Sequence, residues 1–273
     1  MKLAIGGKGG VGKTTLCALL ARTFADTGRR VFAIDADPNA TLAACLGFPE
    51  PDRIAPLSEM RDLITERTGA QPEAPAAFFK LNPRVDDLPA RFAVEHDGIR
   101  LLRMGALKRG GTGCYCAENA FLRALVAHVL LDEQDVLVMD MEAGLEPLSR
   151  GTAQAVDWLL IVVDPSRQSL ETARRIQQLA GDLGLPRVGV VGNKARDGQE
   201  SAYLVRSVAP LPVLGVLPFD EGLVRAEREG RPPAAAGEEL KAELAAILHA
   251  LTASTTPGGA NTLPSCTRED TNA

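Results

Sequence analysis

Seven short runs of Val, Ile and Leu recur along the chain, at Lys2–Ile5, Val31–Ile34, Ile99–Arg103, Val136–Met139, Trp158–Val163, Val188–Val191 and Val213–Leu217. Their apolar residues fill successive positions, not alternate ones, the pattern of a strand covered on both faces. Between them, Thr14–Thr27, Glu118–Leu131, Ser169–Leu183 and Glu238–Leu251 carry apolar residues at helical spacing. Strand alternating with helix predicts an α/β fold: a doubly wound, mostly parallel sheet with helices on both faces. Two segments break the rhythm. Pro49–Arg91 carries seven of the 18 prolines among Arg, Asp and Glu, and reads as an insertion of loops and short helices. Beyond Ser254 the chain is rich in Ser, Thr, Gly and Pro, the composition of a disordered tail. The expected organisation is one domain over residues 1–252 with a Pro-rich insertion at 49–96, then a disordered tail over 253–273.

Composition excludes several classes. The 273 residues are 45% hydrophobic and 24% charged, enough for a sizeable core and unlike a disordered, coiled-coil or collagen-like chain. A net charge of -5 argues against a general nucleic-acid binder or a binder of anionic membranes. At 4% aromatic residues, platforms for stacking single-stranded bases are scarce. No apolar run reaches the ~18–20 residues that span a bilayer, and the N-terminus enters a glycine loop without an apolar leader. The expected location is the cytoplasm. Five cysteines do not resemble a secreted disulfide framework. His96, His128 and His249 are isolated and lack metal-ligand spacing.

Gly7-Lys8-Gly9-Gly10-Val11-Gly12-Lys13-Thr14 fits G-x-x-x-x-G-K-[ST] between the first strand and the first helix. The glycines let the backbone N–H groups of Gly9, Gly10, Val11 and Gly12 turn inward and cradle phosphate oxygens at a positive helix terminus. Lys13 is expected on the β- and γ-phosphates, the Thr14 hydroxyl on Mg²⁺, and Thr15 on the α-phosphate. A second lysine, Lys8, cannot easily fold onto its own γ-phosphate; as a bland alternative it is a solvated loop charge. Carboxylates stand at the ends of two strands, in Asp35-Ala36-Asp37-Pro38-Asn39 and Asp140-Met141-Glu142-Ala143-Gly144. Asp140 suits Mg²⁺ held through water. Asp37 is expected to orient the attacking water and, through water, to hold the same cation. The Gly144 amide can sense the γ-phosphate. Asp35 reads equally well as a strand-end cap, and Glu142 is ambiguous.

Gly110-Gly111-Thr112-Gly113-Cys114-Tyr115-Cys116 sets two thiols at i, i+2 after a glycine loop and before a helix, whose N-terminus favours thiolates. Thiolate-bound Zn²⁺ or Ni²⁺ usually takes four ligands and this loop supplies two. Two copies related by a two-fold axis would supply four. Inert buried thiols, a strained disulfide and an iron–sulfur cluster between copies are the alternatives. Cys17 and Cys45 read as packing residues.

The form Lys8-Gly9-Gly10-Val11-Gly12-Lys13-Thr14-Thr15 resembles the deviant Walker A motif of the ParA/MinD/nitrogenase-iron-protein group of ATPases. In that group the extra lysine crosses to the partner's nucleotide, so the resemblance implies a homodimer that forms with ATP and in which Lys8 is catalytic. It also implies that Asn193, Pro218, Phe219 and Asp220, at two further strand ends, close around adenine; ordinary turn chemistry is the alternative there. Adding Leu81-Asn82-Pro83-Arg84-Val85-Asp86-Asp87, Cys114-Tyr115-Cys116 and Asp140-Met141-Glu142-Ala143-Gly144-Leu145-Glu146, the chain to about residue 250 resembles the CooC-type nickel-insertion ATPases. That resemblance implies an ATP- and Mg²⁺-dependent metallochaperone. Its dimer would hold Ni²⁺ (or Zn²⁺) on Cys114 and Cys116 and serve a nickel-containing carbon monoxide dehydrogenase, with no nucleic-acid or membrane partner. A positioning ATPase of the ParA/MinD kind is a second reading; the acidic-to-neutral stretch Glu238–His249 counts against the basic amphipathic helix it needs. An iron-protein-like electron carrier is a third, and the absence of cysteine from residues 140–152 counts against it.

Overall fold

The computed structural model of the chain describes residues 1–37, 39–69, 80, 83–105, 121, 124–125, 135–142, 156–234 and 237–253. Eight strands are present among them: β1 (Lys2–Gly7), β2 (Val31–Ala36), β3 (Val94–His96), β4 (Ile99–Arg103), β5 (Val136–Met141), β6 (Trp158–Val163), β7 (Val188–Ala195) and β8 (Val213–Pro218). They form one sheet in the order β3-β4-β2-β5-β1-β6-β7-β8. Every pairing is parallel except β3 with β4.

The reason for the unbroken apolar runs lies in the two faces. Leu3, Ile5, Val31, Ala33, Val136, Val138, Leu160 and Val162 pack on one side with Leu16, Leu20 and Phe24 of helix α1 (Lys13–Asp26). Leu240, Leu244, Ile247 and Leu251 of the last helix, Glu238–Ala253, join the same side. The intervening residues Ala4, Phe32, Ile34, Leu137, Met139, Leu159 and Ile161 pack on the other. There they meet Leu170, Ala173, Ile176 and Ala180 of a helix spanning Arg167–Leu183. Successive residues of a strand point to opposite faces, so a strand between two helical layers needs an apolar residue at every position. The doubly wound α/β architecture is as expected from the sequence.

Numbered in chain order, the helices among the described residues are α1, α2 (Leu42–Cys45), α3 (Arg61–Thr68), α4 (Leu88–Phe92), α5 (Arg167–Leu183), α6 (Gly198–Ser207), α7 (Glu221–Arg228) and α8 (Glu238–Ala253). Short 3₁₀ turns at Pro51–Arg53 and Leu57–Glu59, with α3 and α4, fill the region expected to hold loops and short helices. Arg67 of α3 binds Asp87, the residue before α4, through two hydrogen bonds of 2.7 Å. Three features go beyond the pattern reading. The segment expected as an insertion ends in strand β3, joined to β4 by Asp97-Gly98 with φ of 47° and 75°, the left-handed pair that a two-residue hairpin requires. Helices α6 and α7 are short and start at Asp197 and Asp220, whose carboxylates accept from Gln199 and Glu200 and from Leu223 N–H. Helix α8 continues to Ala253, one residue into the expected tail.

Strand β8 lies at an edge of the sheet, and its Val216 N–H is taken up by Glu243 of α8 at 3.0 Å. Covering an edge amide in this way blunts strand-to-strand association. Of the helix expected over Glu118–Leu131, Phe121, Ala124 and Leu125 are helical and buried. Cys114, Cys116, Gly144 and residues 254–273 lie outside the described residues. Among the described residues no helix is long and apolar enough to cross a membrane.

Candidate nucleotide site

The loop after β1 is shaped by its glycines. A Cβ on Gly7 would stand 2.5 Å from the Val162 carbonyl of β6, and one on Gly12 would stand 2.4 Å from Asn193 Nδ2. Gly12, with φ 98°, precedes α1, and no described side chain caps the helix there. The first backbone bond of α1 runs from Leu16 N–H to Gly12 O at 2.9 Å. The amides of Lys13, Thr14 and Thr15 are therefore left at the positive helix end, the arrangement that holds phosphate. Lys13 is buried, and its Nζ stands 3.5 Å from the Lys8 carbonyl, which the Val11 N–H also approaches at 3.4 Å. Two donors thus converge on one oxygen through long bonds, which a phosphate oxygen placed nearby would outcompete. Lys8 is half-buried, and Gly9 and Gly10 are exposed at the mouth of the loop.

Beside this loop lie two buried carboxylates. Asp35 of β2 and Asp140 of β5 are register partners on adjacent strands, and both are fully buried. The Thr14 hydroxyl donates to Asp140 Oδ2 at 2.6 Å, while Asp140 Oδ1 has no partner among the described residues. Burial pushes the Asp140 carboxyl up to about 7; the Thr14 bond opposes this and the Asp35 charge adds to it. Burial likewise raises Asp35 to about 6, against the hydrogen bonds it accepts from Leu42 N–H at 3.0 Å and Asp37 N–H at 3.3 Å. Asp37, half-buried, accepts from Asn39 N–H at 2.8 Å and acts electrostatically on both carboxylates. An unpartnered carboxylate oxygen beside a threonine hydroxyl, with two more carboxylates near, is a set of hard oxygen donors short of positive charge. It fits Mg²⁺.

At the opposite wall, Asn193 Nδ2 donates to Val11 O at 2.8 Å and Asn193 Oδ1 accepts from Lys194 N–H at 2.9 Å. Its amide is turned to the phosphate loop. Phe219 is 38% exposed and carries the Arg196 guanidinium 5.3 Å above its ring, an open aromatic face at the end of β8. Pro218 ends that strand, and Asp220 spends a carboxylate oxygen on the Leu223 N–H of α7. The structure thus gathers Gly9–Thr15, Asp37, Asp140, Asn193 and Pro218–Asp220 at the carboxyl ends of the strands, where α/β sheets bind ligands. One contributor was not singled out from the sequence: Lys194 donates from Nζ to Gly10 O at 2.6 Å. Asp35, open between a strand-end cap and a functional carboxylate, ties the turn that carries Asp37. The neighbourhood of each was legible, but not the direction of its side chain.

The CobQ/CobB/MinD/ParA nucleotide-binding domain, CbiA, matches residues 2–233. The chain belongs to this family. It is 44% identical over 232 residues to the carbon monoxide dehydrogenase accessory protein CooC of Rhodospirillum rubrum, covering 84% of this chain and 88% of that protein. It is 43% identical over 234 residues to the ATP-binding protein MJ0823 of Methanocaldococcus jannaschii, covering 85% and 90% of the two. The cell division protein MinD of Aquifex aeolicus has a similar structure, with a TM-score of 0.63 at 21% identity over 94% of this chain and 98% of that one. The last likeness establishes the fold. The resemblance to CooC-type accessory ATPases, read from the motifs, is borne out, and the phosphate loop is that of a CobQ/CobB/MinD/ParA ATPase. Among the described residues no group of three or more His, Cys, Asp or Glu is placed to hold a metal ion, so a cation beside Asp140 would draw on the Thr14 hydroxyl and phosphate oxygens as well. Cys17 is buried in α1 and Cys45 half-buried in α2, each with its thiol pushed up by burial.

Proposed function

We propose that this chain is a metal-delivery ATPase. Two copies close on ATP, hold one Ni²⁺ (or Zn²⁺) as cargo on Cys114 and Cys116 of each, and pass nickel to a nickel-containing carbon monoxide dehydrogenase. The observation that carries this reading is the 44% identity to CooC across 84% of the chain. The reaction is hydrolysis of ATP to ADP and phosphate. Lys13 and the α1 amides hold the phosphates, and Lys8 of each copy reaches the nucleotide of the other. Asp37 holds the attacking water in line with the γ-phosphate. Thr14 and, through water, Asp140 would hold Mg²⁺, which when bound offsets charge on the phosphates. Asn193 and the Pro218–Asp220 turn border the base. The Gly144 amide follows the γ-phosphate and couples its loss to the thiol loop. On this reading the protein acts in the cytoplasm, without nucleic-acid or membrane partners.

The test is metal titration with elemental analysis and size-exclusion chromatography, on the wild type and on Cys114→Ser/Cys116→Ser. About one Ni²⁺ or Zn²⁺ per dimer, lost in the variant, is expected for a shared four-thiolate site. A variant that binds Ni²⁺ as tightly as the wild type refutes it. A dimer that forms with nucleotide and carries no metal in either protein also refutes delivery, leaving a nucleotide switch of the positioning type.

A further inference from the structure

We propose that Lys194 is a positioning residue of the phosphate loop, acting with Asn193 to fix the direction of two of its peptide planes. Strands β7 and β8, after a first register shift between Val190 and Val191, pair Gly192 with Val216 and resume with Ala195 opposite Pro218. Asn193 and Lys194 therefore stand against Leu217 alone, a bulge of two residues facing one. Lys194 adopts φ 63°, the left-handed region that a lysine enters at a cost. In a regular strand two successive side chains point to opposite faces. At this bulge both reach the same loop: Asn193 Nδ2 donates to Val11 O at 2.8 Å and Lys194 Nζ donates to Gly10 O at 2.6 Å.

The consequence follows from peptide planarity. In a trans peptide the C=O of one residue and the N–H of the next point in opposite directions. Drawing the Gly10 carbonyl toward Lys194 aims the Val11 N–H the other way, and drawing the Val11 carbonyl toward Asn193 does the same for the Gly12 N–H. The Val11 N–H is in fact directed at the Lys8 carbonyl, the oxygen that Lys13 Nζ also approaches. Lys194 thus holds donors in place before a phosphate arrives, which lowers the reorganisation needed on binding. Gly12 belongs to the same device, since a Cβ there would collide with Asn193 Nδ2. A lysine serving only as a solvated charge would gain nothing from left-handed backbone. Residues held in such conformations cluster at functional sites, where surrounding contacts over-determine them.

This inference rests on nucleotide binding by the domain, and the experiment separates the two. Mg-ADP affinity is measured by calorimetry for the wild type, Lys194→Met and Lys194→Gly, alongside thermal unfolding of the nucleotide-free proteins. Met keeps the aliphatic stem and loses the donor; Gly also relieves the left-handed backbone. Both variants are expected to bind Mg-ADP about tenfold more weakly. Lys194→Gly is expected to unfold at the wild-type temperature or above it, so affinity and stability move apart. The ³¹P shift of the bound β-phosphate should change in both variants. Affinities within about twofold of the wild type overturn the proposal, as does a loss of affinity matched by a fall in unfolding temperature of nucleotide-free Lys194→Gly. A wild type that binds no Mg-ADP overturns the nucleotide reading and this proposal with it.

Discussion

Replacing Asp140 by Asn keeps the shape of the buried side chain and removes its charge, which separates what the residue does for the fold from what it does for the ligand. Burial lifts the Asp140 carboxyl from 3.8 to about 7 in the ligand-free protein. The folded state therefore holds a proton that the unfolded chain releases. Its favourable contribution is complete below pH ~4 and is lost as pH rises through about 7. At ~1.36 kcal/mol per pH unit, that interval removes about 4 kcal/mol by pH 8. Against this, the hydrogen bond from the Thr14 hydroxyl to Oδ2 becomes one to a neutral amide, a loss of about 1 kcal/mol. The charge effect is the larger. Asp140→Asn is expected to be about 3 kcal/mol more stable than the wild type at pH 8 and within about 1 kcal/mol of it at pH 5. Urea unfolding followed by circular dichroism, with chelator and without nucleotide, reads the difference at both pH values. The same variant should lose about 10–100-fold in Mg²⁺ affinity. A variant less stable than the wild type at pH 8, or one with the same shift at both pH values, would refute the reasoning.

Three further substitutions probe neighbouring parts. Gly12→Ala, with φ 98° and a Cβ 2.4 Å from Asn193 Nδ2, should cost about 1–3 kcal/mol in urea unfolding and abolish nucleotide binding in a fluorescent-nucleotide titration. At pH 4, where the buried charge of Asp35 carries little penalty, Asp35→Ala removes the acceptor for the buried Leu42 N–H and for Asp37 N–H, at about 1–3 kcal/mol of stability. Its steady-state ATPase should lose kcat more than KM, because Asp37 is no longer held. Glu243→Ala leaves the Val216 edge amide open; about 1 kcal/mol of stability should go, and light scattering should show concentration-dependent association.

What the sequence revealed, and what it did not, divides along a physical line. Strands covered on both faces, such as Trp158–Val163, carry their fate in composition, because every position meets a helix. The phosphate loop was legible because Gly7, Gly12, Lys13 and Thr14 answer to local backbone needs. Strand β3 was missed although Asp97-Gly98 signals a two-residue turn; its three residues are too short for alternation to register. Helices α6 and α7 were missed because they are short and largely exposed, with Leu204 and Ala226 their buried residues. At the site, Thr14 and Asp140 were each expected on the cation, and their hydrogen bond spans 126 positions of chain. The reach of Lys194 to Gly10, 184 positions apart, depends on a bulge and a left-handed residue. Neither leaves a mark in hydrophobic periodicity. Asn193 was expected at the base, and its bond to the Val11 carbonyl of the phosphate loop is a further tie that the sequence did not announce.

The features at the carboxyl ends of the strands are costs in the ligand-free chain, and they are not of one kind. The Asp35–Asp140 pair and the uncapped start of α1 are electrostatic costs with opposite signs: buried negative charge lacks a cation, and a positive helix end lacks an anion. A magnesium nucleotide is a cation and an anion in one ligand, so a single binding event offsets both. The left-handed Lys194 is different, because its cost is met within the ligand-free chain by the bond to Gly10. Binding energy is therefore available where the charges are, on β2, β5 and α1, and is not spent on shaping the loop, which β7 has already done. Asp35 would carry this outward, since a cation bound beside it would change the environment of the carboxylate that also holds the amides of Asp37 and Leu42. On the proposed mechanism, occupancy of the phosphate site and the set of the turn after β2 would thereby be linked through one side chain, which is the minimum a nucleotide switch requires.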